Sequence, residues 1–351
     1  MAYNILILGA SYGSLLGTKL LMAGHNVTLV CRQKTADLIN AEGTTVRIKL
    51  KGEDEHRSIH SKDLPGRLSA STPHDTVATD FDMVGLAMQE PQYAHHSLTT
   101  LLMRIAEERI PCLSIMNMPP LTFLKRIPGL DTSGLGSSYT DPTVWDRFDP
   151  DVMTLCSPDP QAFRPPEEAA NVLHVGLPTN FKAARFANED ANKILKQLEA
   201  DIADVRLDDK DVPVKLRVFD SLFVPLAKWS MLMTGNYRCI TPGASQSIKE
   251  AVHGDLDKSR SIYEFVDSLA QRLGADPADA VPFEKYANAA ESLLKPSSAA
   301  RAIDAGSPYI ERVDVLVQLI GRAMNMANPE IDRMVEIIDD KLDDNDPLPA
   351  E

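Results

Sequence analysis

The stretch from Asn4 to Gly17, NILILGASYGSLLG, decides how the rest of the chain is read. An apolar run, Ile5 to Leu8, enters a turn rich in glycine and serine, and the helical pattern SLLGTKLLMAG follows and closes at Gly24. A strand that turns into a helix through glycines is where a dinucleotide-binding fold holds a pyrophosphate, because the helix N-terminus presents free amides to an anion. The usual spelling is G-x-G-x-x-G, with one glycine for the turn, one for close approach of the phosphates and one for helix–strand packing. Gly9 serves as the first, and two registers remain for the others. Without a gap, Ser11 and Ser14 replace the second and third glycines; with a one-residue deletion, Gly13 is the third. The spacing to Gly17 and Gly24 favours the shortened loop. The candidate pyrophosphate cradle is therefore Gly9, Ser11, Tyr12 and Gly13, although GASYGS taken alone also fits an ordinary strand-to-helix turn.

The next strand, HNVTLVCR, sharpens the choice. An acidic residue at its end would bind the ribose hydroxyls of NAD, but the chain reads Cys31-Arg32-Gln33-Lys34. Arg32 and Lys34 suit a 2′-phosphate, so the expected cofactor is NADP(H).

Working outward, TADLINAEG reads as a helix and TTVRIKL, FDMVGLAM and IPCLSIMN as strands, with a helix over YAHHSLTTLLMRIAEER. This alternation predicts an α/β Rossmann-type N-terminal domain with a parallel sheet. Residues 125–168, rich in Pro, Gly, Ser and Asp, read as an irregular excursion, part loop and part short strand. The strand NVLHVGLP, the amphipathic helix ANEDANKILKQLEADIA and the short strand DVRLDD follow. Asp211 and Pro213 then resemble a helix start, and VKLRVFDSLFVPLAKWSMLMTGN is expected as a helix interrupted at Pro225. Further amphipathic helices, among them SPYIERVDVLVQLIGRAMNM, complete an all-α C-terminal domain. The expected division is 1–211 for the Rossmann-like domain, 212–345 for the helical domain and 346–351 for an acidic tail.

Bulk properties narrow the partners. The 351 residues carry a net charge of −14, which argues against nucleic acid or an anionic membrane. An anionic ligand must then find its positive charge locally. The four cysteines, Cys31, Cys112, Cys156 and Cys239, form no CxxC pair and fit reduced thiols, hence a cytoplasmic chain. No apolar run approaches the roughly 18 residues of a spanning helix, and the start of the chain does not read as a signal peptide. His95-His96 lacks a third ligand, so no metal is expected. His253 and Asp255, in VHGD, are a weak acid/base candidate. The apolar faces of the C-terminal helices permit a homodimer.

Several segments together resemble the ketopantoate reductase (2-dehydropantoate 2-reductase) family: ILILGASYGSLLGTKLLMAGHNVTLVCR, SIMN up to Asn117, LAKWSMLMTGN around Lys228, and PSSAARAIDAGSPYIERVD around Ser298 and Glu311. The resemblance implies a Rossmann domain followed by a helical one, NADPH as cofactor, and reduction of a small anionic 2-oxo acid to the 2-hydroxy acid. It implies Lys228 as the catalytic lysine, at the end of its helix, and Glu311 as its acidic partner, also near the cofactor. Asn117 lines the nicotinamide and substrate site, and Asn236 and Ser298 contact substrate. The chemistry is coherent: hydride delivered to a keto carbon builds charge on oxygen, which an ammonium stabilises and protonates. A nearby carboxylate orients that ammonium, while Asn and Ser add neutral hydrogen bonds.

The departures mark a divergent member. Where the family has a lysine near the cofactor stands Gln89, and its substrate asparagine one turn beyond the catalytic lysine is Leu232. Lys295 replaces another asparagine, and Met118-Pro119-Pro120 replaces glycines after Asn117. These changes point to a more apolar 2-oxo acid than ketopantoate. Two other readings stay open: an NADP-dependent opine- or imine-type oxidoreductase, and a non-catalytic NADP-binding regulatory protein.

Overall fold

The computed structural model describes residues 2–346 and forms two compact units. The acidic tail expected over 346–351 lies, beyond Asp346, outside the described residues. The first unit comprises Met1–Met88, Gln92–Arg126 and Thr143–Asp220; the second comprises Gln89–Pro91, Ile127–Pro142 and Ser221–Glu351.

The first unit is a Rossmann-type α/β domain. In chain order it runs β1 (Asn4–Leu8), α1 (Gly13–Met22), β2 (Asn26–Val30), α2 (Gln33–Glu42), β3 (Thr45–Lys49), β4 (His56–His60), β5 (Leu68–Ser71), β6 (Met83–Leu86), α3 (Thr99–Glu107), β7 (Cys112–Ile115) and α4 (Leu121–Leu124). It continues with β8 (Met153–Ser157), β9 (Gln161–Phe163), β10 (Val172–Leu177), β11 (Phe181–Ala184), α5 (Glu189–Ala203), β12 (Arg206–Leu207), β13 (Lys210–Asp211) and β14 (Leu216–Phe219). The main sheet has the order β14-β11-β8-β7-β6-β1-β2-β5. Its strands are parallel from β8 to β5, while β11 and β14, parallel to each other, run against β8. A second sheet, β4-β3-β10-β9, packs into the same core through Val46, Ile48, Leu173 and Val175.

Chain order along the main sheet reverses between β1 and β6: β2 and β5 lie on one side of β1, β6 and β7 on the other. Ligands of open α/β sheets bind outside the carboxyl ends of the strands at such a reversal.

The structure refines or corrects the remaining expectations. Met153–Ser157, expected as part of an irregular excursion, is a wholly buried strand inside the main sheet. All five of its residues are buried, as in a strand covered on both faces, with the Thr154 hydroxyl satisfied by the Ala184 carbonyl (2.7 Å). The helix expected from Asp211 does not exist; Leu216–Phe219 instead pairs with β11. Leu216 turns inward and Arg217 outward, the two-residue alternation of a strand. Val212 and Val214 ahead of it are 0% exposed, and the buried Lys19 amine on α1 donates to the carbonyls of Pro213 (3.0 Å) and Val212 (3.5 Å). That clasp on α1, rather than a helix cap, sets the path of this segment.

The second unit is all helical: α6 (Lys228–Met231), α7 (Ile248–His253), α8 (Leu256–Arg272), α9 (Phe283–Ala290), α10 (Ser298–Asp304), α11 (Val313–Ala323) and α12 (Pro329–Asn345). The long helix expected through Lys228 is broken up. A single 3-10 turn begins at Pro225, α6 follows, and Leu232–Asn236 form a π-turn closed by the Tyr237 amide on the Leu232 carbonyl (3.0 Å). Lys228 therefore opens its helix instead of ending it. The helix expected through PYIERVD starts only at Val313, leaving Glu311 in the segment before it.

Candidate functional site

In the first unit the phosphate loop sits at the reversal point of the sheet. Gly9 has φ +106°, a conformation L side chains avoid, and a Cβ there would lie 2.7 Å from the Ala87 carbonyl oxygen at the end of β6. The Gly9 amide reaches the other way, to the Val30 carbonyl of β2 (3.1 Å). Gly13 opens α1, where a Cβ would be 2.5 Å from Ile7 Cγ2 and 3.2 Å from Ala87 Cβ. Gly13 is thus the glycine that lets helix and strand close up, as the shortened register requires. Ser14 serves the loop differently, its hydroxyl donating to the Ser11 carbonyl (2.8 Å) and bracing the turn.

The amides of Ala10, Ser11, Tyr12 and Gly13 make no hydrogen bond among the described residues. The residue capping α1, Tyr12, supplies no side-chain acceptor to the helix start. Its hydroxyl donates instead to the Pro160 carbonyl (2.7 Å), and its ring packs edge-on against Phe181. Burial, with the nearby Cys156 and Asp159, pushes the phenol well above its ordinary range. The Tyr12 hydroxyl proton is thus committed to the Pro160 carbonyl, and its backbone amide remains for a ligand. A glycine cradle with free amides fits a diphosphate.

Arg32, in extended conformation, caps the start of α2, with Lys34 in the first turn. Both are exposed, and neither is in an ion pair or hydrogen bond among the described residues. Asn117 lies two residues beyond β7, half-buried, at the same carboxyl-end edge of the sheet.

The remaining candidates lie in the second unit. Lys228 is half-buried at the first position of α6, and that helix is fixed to α8 by the Ser230 hydroxyl donating to Asp267. Asn236, at the end of the π-turn, is half-buried, and its side-chain amide makes no hydrogen bond among the described residues. Gly235 before it is required: a Cβ there would fall 2.1 Å from the Tyr286 hydroxyl, which donates to the Met231 carbonyl (3.1 Å). Such π-turns interrupt helices at functional sites more often than elsewhere. Leu232 is 3% exposed, so its apolar character serves packing at this turn.

Ser298 is exposed at the start of α10, whereas its neighbour Ser297 is buried, caps that helix and donates to the Asn236 carbonyl (2.6 Å). Glu311, 7% exposed, precedes α11, and its carbonyl accepts from the buried Tyr237 hydroxyl. The structure thus brings Asn236, Ser298 and Glu311 into one network of adjoining turns through Ser297 and Tyr237.

Gln89, exposed, belongs to the same unit, beside a residue that no sequence motif singles out. Glu90 is 2% exposed and accepts from the Thr140 amide (3.2 and 3.3 Å) and hydroxyl (3.1 Å). Burial pushes its carboxyl up to about 7; Thr140 opposes the shift, and the negative charges of Glu311 and Asp141 add to it. His253 and Asp255 are structural: the imidazole bonds the Ala287 carbonyl (2.9 Å) and Asp255 caps α8. Among the described residues no His, Cys, Asp and Glu cluster is arranged to hold a metal, all four cysteines are free thiols, and no helix is long and apolar enough to cross a membrane.

Comparison with known proteins agrees with this architecture. Residues 5–97 match the family model described as ketopantoate reductase PanE/ApbA. A comparison with curated proteins found no match. Among solved structures, the 2-dehydropantoate 2-reductase from Methylococcus capsulatus superposes with a TM-score of 0.69 at 13% identity, covering 99% of both chains. A ketopantoate reductase from Ralstonia solanacearum MolK2, itself assigned only provisionally, gives 0.68 at 17%, covering 98% of this chain and 99% of that one. A D-mandelate dehydrogenase determined with NADH and anilino(oxo)acetate gives 0.65 at 14%, covering 98% and 100%. The fold is the one these solved ketopantoate reductase structures share. The resemblance read in the sequence holds, in the family model over the first quarter of the chain and in fold over nearly all of it.

Proposed function

We propose that this protein is an NADPH-dependent reductase that converts a small 2-oxo acid, more apolar than ketopantoate, into the 2-hydroxy acid. The observation that carries the reading is the cradle at the sheet reversal: a left-handed Gly9, a close-packed Gly13 and four amides, from Ala10 to Gly13, without partners among the described residues. Those amides would hold the diphosphate, with Arg32 and Lys34 on a 2′-phosphate and Asn117 toward the nicotinamide. Bound there, the reduced nicotinamide supplies hydride.

The chain's own residues do the rest. The Lys228 ammonium stabilises the charge that develops on the carbonyl oxygen and delivers a proton to it. Glu311 keeps that ammonium charged and oriented. Asn236 and Ser298 donate to the substrate carboxylate without adding charge of their own. The stiff Met118-Pro119-Pro120 run after Asn117 supports an apolar substrate, and so does the fold shared with a D-mandelate dehydrogenase.

The test is Lys228→Ala. It should abolish reduction of a 2-oxo acid while leaving NADPH binding within about twofold of the parent, since only transition-state interactions are removed. Loss of NADPH binding instead would assign Lys228 another role.

A further inference from the structure

One cation near the candidate nucleotide site was not legible in the sequence. Arg164 follows β9, in the Pro-rich stretch between β8 and β10. That stretch is tied to the phosphate loop by the Tyr12 hydroxyl on the Pro160 carbonyl (2.7 Å). Side chains two apart on an extended strand share a face. Arg164 thus shares its face with Ala162, which packs on the same core as Tyr12 and Cys31, whereas Phe163 on the other face packs near His174. The guanidinium lies near enough to the Cys31 thiol for each to influence the other's ionisation, and Cys31 directly precedes Arg32.

Arg164 is half-buried, yet among the described residues no carboxylate or carbonyl accepts a hydrogen bond from it. Of the two acids that follow it along the chain, Glu167 is exposed and makes no ion pair with it, and Glu168 is committed to Arg47 and His174. Withdrawing a guanidinium from water without a partner is costly, and the cost falls when an anion completes the site. In a chain of net charge −14, an uncompensated half-buried arginine is conspicuous. Exposed Arg32 and Lys34 are screened by salt, whereas a partly buried cation is screened less and discriminates more strongly.

We propose that Arg164 is the main determinant of dinucleotide choice: its guanidinium grips the 2′-phosphate with paired N–H donors, and Arg32 and Lys34 contribute at the solvent side. This rests on the nucleotide reading of the loop but adds a residue from outside the first βαβ unit. A planar fork matches a phosphate in a way an ammonium does not, so Arg164→Lys should not fully replace it.

The experiment measures Kd for NADPH and NADH on the full chain and on Arg164→Gln, Arg164→Lys and Arg32→Gln, with 2′-AMP and 5′-AMP as competitors. Arg164→Gln should weaken NADPH about tenfold or more and NADH less than about twofold, as loss of a charge-assisted contact to one phosphate predicts. Arg164→Lys should fall between, keep the parent's melting temperature, and serve alone if the glutamine variant does not fold. On the parent, 2′-AMP should compete better than 5′-AMP, and this advantage should shrink in the Arg164 variants. An unchanged NADPH-to-NADH preference in both Arg164 variants, with Arg32→Gln carrying the whole effect, would overturn the inference while leaving the cofactor reading intact. A parent protein that binds neither dinucleotide would overturn both.

Discussion

The Tyr237 hydroxyl donates to the backbone carbonyl of Glu311 and accepts from the Val313 amide (3.2 Å), so one buried phenol sets the path of the chain through the candidate catalytic glutamate. Tyr237 directly follows Asn236, and the π-turn and the Glu311 segment are therefore fixed as one piece. Tyr237→Phe removes both of these hydrogen bonds from a buried segment. It should cost about 1–3 kcal/mol, read as a lower denaturant midpoint. If Glu311 orients Lys228, kcat should fall more than KM rises; an unaffected kcat would detach Tyr237 from the chemistry.

Gly235 is as tightly constrained. A methyl at this position meets the Tyr286 hydroxyl at 2.1 Å, and that hydroxyl also holds the Met231 carbonyl. Gly235→Ala should destabilise by about 1–3 kcal/mol through overpacking. Adding Tyr286→Phe to it should recover part of the loss, because the atom in the way is gone. A double variant as unstable as the sum of the two singles would refute the contact.

Much of the fold was legible because its local signals agree. The alternation of short apolar strands with helices closed at Gly24 and Gly43 forecasts the first βαβ units, and both glycines take positive φ. The failures share one cause: tertiary burial overrode local pattern. Pro213 looks like a helix start, but Lys19 and the buried Val212 and Val214 draw that segment onto the sheet. Met153–Ser157 lies in a stretch read as part loop and part short strand, and its flanking prolines concealed that this strand is buried in the main sheet. In the site, Gly9, Gly13 and Arg32 announce themselves by spacing. Tyr237, Ser297 and Glu90 do not, since each bonds a partner distant in the chain, and only the fold brings Arg164 near Cys31.

Stability should depend on pH through Glu90. Burial, with the negative charges of Glu311 and Asp141 adding to it against hydrogen bonds from Thr140, pushes its folded carboxyl up to about 7, above the ordinary glutamate value of 4.5. Between those two values the folded state holds a proton that the unfolded chain has released. The stabilising contribution is therefore complete below about pH 4.5 and is lost as pH rises through about 7, by up to roughly 3 kcal/mol. Glu90→Gln should flatten this part of the profile relative to the parent, measured as the difference in unfolding free energy at pH 5 and pH 8 (about three pH units apart). Parallel profiles would show that Glu90 is ionised throughout.

The shortened loop makes its own prediction. Gly13→Ala places a methyl 2.5 Å from Ile7 Cγ2, so α1 must move off β1. NADPH affinity should fall by about tenfold or more, with a loss of about 1–3 kcal/mol in stability from the forced helix shift. An alanine variant that binds NADPH as the parent does would mean that the helix start is not the pyrophosphate site.

Reductase activity itself is read from the loss of reduced-nicotinamide absorbance when the purified protein meets NADPH and a panel of straight-chain, branched and aromatic 2-oxo acids. Turnover is expected with at least one of them, faster with NADPH than with NADH and absent in Lys228→Ala. NADPH that raises the melting temperature but is consumed with no member of the panel would contradict the reductase and leave a nucleotide-binding regulator in its place.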